Sequence, residues 1–401
     1  MTPLTWKEAF SILTILIQKC RGQKITLFFD ELPWLATRRS GVLEALDYEW
    51  NSNWSQISDL KLIVCGSAAS WMLDKLINAK GGLYNRITDV IYLKPFSLGE
   101  SNSYLKSKGI KLSAMQVLEL YMVMGGVPHY LNQVEKGRSS AQIINSMCFN
   151  EAGLLFSEFN RLFESLFDNS EDHYKIIRKI SKNGNSMSRN ELLMETGHKS
   201  GGGFKKKIQE LKLSGFVQEF VPYGKKSRDV AIKIIDEYTL FFLQWIEPIQ
   251  LKTPMGSSKY WINAFKQPNY RIWSGYAFEA VCMKHIDNIL KAIEIENVAG
   301  EIGNWRHISR KGSKQAGAQI DMVIDRVDNS INVCEIKFSN EEYIITKDYA
   351  KKLLHKKDLF ENVAKPKKQI FLTMITTMGV KKNLYSDDLV DSEVTLKDLL
   401  N

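Results

Sequence analysis

The chain has 401 residues, of which 44% are hydrophobic and 25% charged, and its formal net charge is +9. This length predicts two to four globular domains, and the absence of any apolar run near about 18 residues excludes membrane-spanning helices. The basic balance favours a polyanionic partner. Because five scattered cysteines form no C-x-x-C pair, we expect reduced thiols, a cytoplasmic location and no zinc site.

The first hundred residues predict a helix over 5–20 and two buried strands over 25–29 and 60–64. Asp30 and Glu31 follow the first strand, and Ser67 follows the second. A third strand is predicted over 89–93, just after Arg86. An acidic pair after a strand is also typical of the N-terminus of a helix, where the helix dipole favours negative charge.

Helical periodicity predicts two helices over 113–135 and 139–167, with a break at residues 125–128. We interpret the aromatic stripe in the second of these as core packing rather than a ligand site; it consists of Phe156, Phe159, Phe163 and Phe167.

The next segment predicts three short helices, over 173–180, 189–196 and 204–213, and then two strands, over 216–222 and 230–235. Ser188 and Glu191 have the spacing of a capping box at the second helix. Three helices and a two-stranded wing predict a winged helix-turn-helix. The candidate DNA contacts are Lys205, Lys206, Lys207, Lys225, Lys226 and Arg228. A protein-interaction or spacer role explains the same pattern equally well.

After an apolar helix that ends at Pro248, the C-terminal part contains a helical run over 273–286 with Glu279 among its apolar positions. Two alternating segments, 317–325 and 331–338, predict a β-hairpin. If a three-residue loop pairs Val327 with Ile331, Asp321 lies opposite Lys337 and diagonal to Glu335. Two carboxylates would hold Mg²⁺ or Mn²⁺ for attack on a phosphodiester, and a plain cross-strand salt bridge is the alternative.

A helix with Glu279, a strand with Asp321 and a strand with Glu335 and Lys337 follow the order of the PD-(D/E)XK nuclease superfamily. The segment resembles that superfamily at these four positions. The resemblance implies metal-dependent cleavage of DNA with Glu279, Asp321, Glu335 and Lys337 as catalytic residues and Asp321 and Glu335 as metal ligands. Inert members share the scaffold, so a non-catalytic DNA- or protein-binding regulator is the alternative.

Together with the Gly125–Gly126–Val127–Pro128 motif, the N-terminal pattern resembles bacterial and archaeal AAA+ (STAND-like) ATPases fused to a C-terminal PD-(D/E)XK domain. The resemblance implies that Asp30, Glu31, Ser67 and Arg86 serve nucleotide binding. The phosphate-binding motif G-x-x-x-x-G-K-[ST] is absent, and Gly224–Lys225–Lys226–Ser227 is its nearest approach. We therefore expect an ATPase core without its first part, and no ATP binding tighter than millimolar by this chain alone.

The expected fold class is α/β multidomain: an incomplete P-loop ATPase core (1–110), a helical lid (111–168), a winged helix-turn-helix (169–236), a helical connector (237–269) and a PD-(D/E)XK nuclease-like domain (270–401). The expected function is a Mg²⁺-dependent DNA endonuclease carried by an ATPase-family protein. An ATP-driven switch is a further alternative if a missing N-terminal segment supplies the P-loop. The expected partners are DNA and either a second copy or a P-loop-bearing chain, with no membrane.

Overall fold

The computed structural model describes residues 2–20, 22–37, 39–67, 69–77, 86–167, 169–198, 201–226, 229–250, 260–265, 267–307 and 316–401. Within these ranges the protein is a mixed α/β structure whose strands form sheets of two, three and five strands. None of the described helices is long and apolar enough to cross a bilayer.

The N-terminal unit is built on a two-stranded parallel sheet. Its elements are α1 (Trp6–Lys19), β1 (Ile25–Phe29), α2 (Leu32–Leu35), α3 (Val42–Ser52), a 3₁₀ turn (Trp54–Gln56), β2 (Leu60–Val64), α4 (Ala69–Met72) and a π-helical turn (Leu73–Ile77). One face of the sheet packs on a small core around Phe10 and Trp54. On the other face Phe28 is 58% exposed and Ile63 is 40% exposed.

The prediction of a third strand over 89–93 is wrong. Residues 87–97 have no regular secondary structure, and Ile91 and Leu93 are exposed. A strand needs a hydrogen-bonding neighbour and cross-strand contacts, and in the described part of this sheet β1 and β2 pair with each other alone.

A helical unit follows, with α5 (Leu98–Ser107), α6 (Ala114–Met124), α7 (Pro128–Leu131), α8 (Ser140–Cys148) and α9 (Glu158–Leu166). The predicted break at residues 125–128 is confirmed, because Gly125 takes a φ of 61° after α6. The single helix predicted over 139–167 is wrong. The chain turns back on α8 at Gly153, where a Cβ would lie 2.4 Å from the Met147 carbonyl oxygen.

The three-helix unit contains α10 (Ser170–Lys182), β3 (Ser186–Ser188), α11 (Arg189–Thr196), α12 (Gly202–Leu213), β4 (Val217–Phe220) and β5 (Ala231–Ile234). The predicted capping box is confirmed, since Ser188 and Glu191 bond each other's backbone. The sheet order is β3-β5-β4, all antiparallel. Connecting helices follow: α13 (Glu237–Phe241), a π-helical turn (Phe242–Ile246), α14 (Glu247–Gln250) and α15 (Tyr260–Ala264).

The C-terminal unit is a five-stranded mixed sheet with helices on both faces. Its elements are α16 (Pro268–Lys284), α17 (Ile286–Ala292), β6 (Ala299–His307), β7 (Ala318–Arg326), β8 (Ser330–Lys337), α18 (Lys347–Ala364), β9 (Gln369–Thr376), α19 (Leu384–Leu389), β10 (Ser392–Val394) and α20 (Leu396–Leu399). The order is β10-β9-β8-β7-β6. Strands β6 to β8 are antiparallel, and β8 to β10 are parallel.

Alternation along the paired parts of β7 and β8, residues 322–324 and 331–334, separates two hydrophobic cores. Met322 and Cys334 belong to a large core that also includes α16, the helical unit and the three-helix unit. Val323 and Val333 belong to a smaller core under α18. The α18 face is also the face that carries the odd-numbered polar residues of β8, because successive side chains alternate across a sheet.

Candidate active site

The β7–β8 hairpin opens into a fork at the end that carries the acidic residues. The last paired residues are Met322 and Cys334, although β8 continues beside β9 as far as Lys337. The Asp321 carboxylate fills the gap, because its Oδ2 accepts a hydrogen bond of 3.0 Å from the Ile336 N–H. A side chain thus replaces the backbone ladder at the position where the two strands separate.

The predicted register is wrong by two residues. The structure pairs Asp325 with Ile331, so the loop is Val327, Asp328 and Asn329, one residue earlier than predicted. Asn329 takes a φ of 63°, which a three-residue hairpin loop requires at its last position and which Asn tolerates better than Ser. A β-bulge between Ile320 and Val323 interrupts the alternation of β7 at Asp321. Asp321 meets this part of β8 through the Ile336 N–H and the Lys337 ammonium.

Glu335 is the most contacted carboxylate of the site and is 3% exposed. Its Oε1 lies 2.7 Å from the Lys337 Nζ, and its Oε2 lies 2.7 Å from the Lys356 Nζ. The Tyr349 hydroxyl donates to Oε1 at 2.8 Å. Burial raises the pKa of Glu335, but Lys337 and Lys356 outweigh it and hold this pKa below its usual value. Glu335 is therefore ionised at neutral pH.

Asp321 has the opposite electrostatic environment. Burial and the negative charges of Glu335 and Glu279 raise its pKa to about 7, against the opposing effect of Lys337. The Lys337 Nζ lies 3.8 Å from Oδ2. Burial lowers the pKa of Lys337, but Glu335 and Asp321 outweigh burial and raise it, so this side chain is a cation. Two adjacent carboxyl groups with pKa values pushed apart are typical of functional sites.

Glu279 approaches from the other face of the sheet. It lies on α16, which packs against β8, and its charge contributes to the raised pKa of Asp321. Its Oε2 lies 3.1 Å from the Nζ of Lys233, which belongs to β5 of the three-helix unit. The fork thus collects side chains from both faces of the sheet.

Three residues of this cluster were not predicted to lie in the acidic site: Tyr349, Lys233 and Lys356, the last of which the sequence suggests only as a phosphate contact or a solvated lysine. Lys356 and Tyr349 lie two turns apart on α18, a spacing that places them on one face of the helix. This spacing could have been recognised in the sequence. Lys233 comes from a different unit, and no local pattern connects it with Glu279.

The donor set suits a hard divalent cation. Mg²⁺ takes one or two carboxylates and completes its shell with water and phosphate oxygens, and Asp321 and Glu335 are the carboxylates that would supply these ligands. Among the described residues no group of three or more His, Cys, Asp or Glu side chains has the arrangement of a metal site. The remaining positions around an ion would therefore belong to water or phosphate. Relief of the repulsion between the acids favours its binding.

The predicted nucleotide-binding residues meet in part at the carboxyl ends of β1 and β2. The Ser67 hydroxyl donates to Glu31 Oε2 at 3.1 Å, and the Cys65 thiol lies 2.8 Å from Asp30 Oδ1. Glu31 has a φ of 47°, a left-handed conformation that is uncommon for a residue other than glycine. Arg86 is exposed in a turn, and within the described part of the chain no hydrogen bond or ion pair joins it to Asp30, Glu31 or Ser67.

The predicted DNA-binding lysines are divided between ion pairs and solvent. Lys207 lies 3.4 Å from Asp172 on α10, and Lys206 lies 3.8 Å from Glu210 on its own helix. Lys205, Lys225 and Lys226 are exposed. Arg228 lies outside the described residues. Helix α12, the predicted recognition helix, lies against α4 of the N-terminal unit, so part of its surface is covered.

Comparison with known proteins gives three findings. The family model DUF234, described as "Archaea bacterial proteins of unknown function", matches residues 242–353, a span that includes the fork. The uncharacterized protein MJECL04 of Methanocaldococcus jannaschii is 23% identical over 306 residues, or 74% of this chain and 63% of that protein. The chain thus spans less than two thirds of that relative. The Walker-type ATPase PABY2304 of Pyrococcus abyssi has a TM-score of 0.41 and 20% identity, with 60% of this chain and 68% of that chain covered. A likeness of this size assigns no activity.

Proposed function

We propose that the C-terminal unit is a PD-(D/E)XK-type nuclease that cleaves DNA with Mg²⁺ or Mn²⁺. The observation that carries the proposal is the meeting of Asp321, Glu335 and Lys337 at the β7–β8 fork. A salt bridge that served stability alone would not require an Asp321 whose pKa is raised to about 7 by burial and by two further acids. That arrangement is unfavourable in the free protein and becomes favourable when a cation binds.

The residues divide the chemistry by charge. Asp321 and Glu335 would hold the divalent ion, which when bound polarises a phosphoryl oxygen and lowers the pKa of a bound water. Because the pKa of Lys337 is raised, its ammonium is a stabiliser of negative charge on the reacting phosphate rather than a base. The Tyr349 hydroxyl and Lys356 fix the orientation of Glu335 by hydrogen bonds. The three-helix unit, proposed as a winged helix, would hold DNA phosphates with Lys205, Lys225 and Lys226.

The test is a nicking assay on supercoiled plasmid with Mg²⁺ or Mn²⁺. We expect Asp321→Ala to lower the cleavage rate about a hundredfold or more, because it removes a metal ligand. Asp325→Ala is the matched control: Asp325 lies on the same strand but is paired with Lys368, outside the fork. Its rate should stay within about twofold of wild type. Equal nicking by the Asp321→Ala variant would reject the assignment.

A second candidate function is a DNA- or protein-binding regulator with an inert fork. The observation in its favour is that lysines already occupy both Glu335 oxygens, so an ion must displace them. This role would show as an absence of nicking with any metal. In a separate binding assay DNA binding would depend on salt and would be unchanged by Lys337→Ala.

Nucleotide binding is a weaker proposal for the N-terminal unit. Asp30, Glu31 and Ser67 meet at a sheet edge where parallel strands of α/β proteins place ligands. The 401 residues contain no phosphate-binding loop, so a switch driven by ATP would require that loop from another chain or segment.

A further inference from the structure

The hairpin of β4 and β5 in the three-helix unit is docked on the edge of the C-terminal sheet. The Tyr223 N–H donates to the Asn304 carbonyl of β6 at 2.8 Å, and the Tyr223 ring lies 5.3 Å from that of Phe360 on α18. At Gly303 a Cβ would lie 3.0 Å from the Val221 carbonyl oxygen. The close approach of the two backbones therefore favours the absence of a side chain there.

From this docked hairpin Lys233 reaches the fork. Ile232 and Ile234 belong to the large hydrophobic core, so Lys233 lies on the opposite face of β5. Its side chain is 12% exposed and that of Glu279 is 16% exposed, with 3.1 Å between Nζ and Oε2. Salt screens an ion pair that is covered from solvent to this degree less than it screens a surface pair. Such a pair between two units therefore fixes the geometry of both side chains.

The cluster contains equal numbers of acidic and basic side chains. Three carboxyl groups, from Asp321, Glu335 and Glu279, face three ammonium groups. Lys337 and Lys356 both contact Glu335, and Lys233 alone contacts Glu279 among the ion pairs of the described residues. Without Lys233 the Glu279 charge would be uncompensated beside the other acids and its side chain would be free to turn.

We propose that Lys233 is a positioning residue of the nuclease site, which holds Glu279 in place from a different unit of the chain. The proposal rests on the proposed function and extends it, because the docked hairpin of β4 and β5 then supplies one side chain to the nuclease site. In consequence, the winged-helix hairpin is used for assembly of the site as well as for contact with DNA.

The test compares Lys233→Met, Lys233→Arg and Lys368→Met with wild type. Mn²⁺ binding is measured by calorimetry without DNA, and steady-state cleavage is measured separately. Lys233→Met should bind Mn²⁺ about tenfold more tightly, because one positive charge next to the acids is gone. Its kcat should fall about tenfold with KM for DNA unchanged, because Glu279 is no longer held. Lys233→Arg should restore both values. Lys368→Met, which removes an ion pair on the same sheet, should change neither.

Other results would overturn the inference. A higher KM with unchanged kcat would make Lys233 a DNA contact. A lower melting temperature with unchanged Mn²⁺ affinity would make the ion pair purely structural. If wild type binds Mn²⁺ without cleavage, the proposed function fails and the Mn²⁺ affinity of Lys233→Met still decides the role of Lys233. If wild type cleaves and Lys233→Met behaves identically, the inference alone fails.

Discussion

Asp321 is a largely covered carboxyl group, 10% exposed, whose ionised form is opposed by its surroundings. It accepts a hydrogen bond from the Ile336 N–H, and Glu335 and Glu279 raise its pKa. Lys337 at 3.8 Å compensates in part. Burial and like charge together raise its pKa to about 7, whereas two lysines lower the pKa of Glu335. The two carboxyl groups therefore differ in protonation across the weakly acidic range.

This difference predicts a pH dependence of stability. In the unfolded chain Asp321 has an ordinary pKa of 3.8, and in the folded protein about 7. The folded state thus binds the proton more tightly, and stability is lost as pH rises between these values. Wild type should lose this stability as pH rises, and Asp321→Asn should not. The free energy of unfolding of the variant minus that of wild type should therefore increase by about 2–3 kcal/mol from about pH 5 to pH 8. Urea unfolding of both proteins in EDTA measures this difference.

The matched control is Asp328→Asn. The exposed Asp328 has its pKa lowered by hydrogen bonds from Arg326, so its contribution is lost as pH falls through that lowered pKa, below the tested range. Its difference from wild type should stay flat between about pH 5 and pH 8. A flat difference for Asp321→Asn as well would show that the Asp321 pKa is not raised.

At the scale of elements, the sequence pattern predicts which face of a strand a side chain lies on better than it predicts which strand or residue lies next to it. Alternation places Glu335 and Lys337 on one face of β8, and an error of two residues in register does not change that face. At Asp321 alternation is not the cause of the contact, because a β-bulge between Ile320 and Val323 interrupts it. The register itself depends on which residue takes the left-handed position, here Asn329. The alternating segment 89–93 forms no strand, because strand formation requires a partner that no local pattern contains. For the same reason Lys233 could not be connected with Glu279.

The Gly125–Gly126 break lies in close backbone contact with the segment that leads into α5. At Gly126 a Cβ would lie 1.7 Å from the Phe96 carbonyl oxygen, and the Phe96 N–H donates to the Gly126 carbonyl at 2.8 Å. We expect Gly126→Ala to lower the free energy of unfolding by about 3 kcal/mol or more, because the backbone of residue 96 must move. Thermal or urea unfolding checks it.

Gly203→Ala is its matched control. Gly203 lies in α12 with open space around its Cβ position, so alanine should be neutral or stabilise by up to about 1 kcal/mol. Equal effects of the two substitutions would contradict the contact between Gly126 and residue 96.

At the scale of the whole molecule, the helical unit, the three-helix unit and one face of the C-terminal sheet share one hydrophobic core. The N-terminal unit has a separate and smaller core under a sheet that has two strands among the described residues. Two-stranded sheets are marginal on their own, and Phe28 and Ile63 are left exposed on the outer face. The molecule therefore combines a large cooperative part, which contains the fork, with a smaller part of lower intrinsic stability.

Hydrogen exchange of the native protein tests this division. Amides of β1 should exchange about a hundredfold or more faster than amides of β8, because local opening of a small core requires less free energy than global unfolding. Strand β8 is paired on both sides and buried. Helix α6 is the control: it lies in the same large core as Cys334 of β8, so its protection should approach that of β8. Equal protection in β1, α6 and β8 would mean that the N-terminal unit unfolds together with the rest.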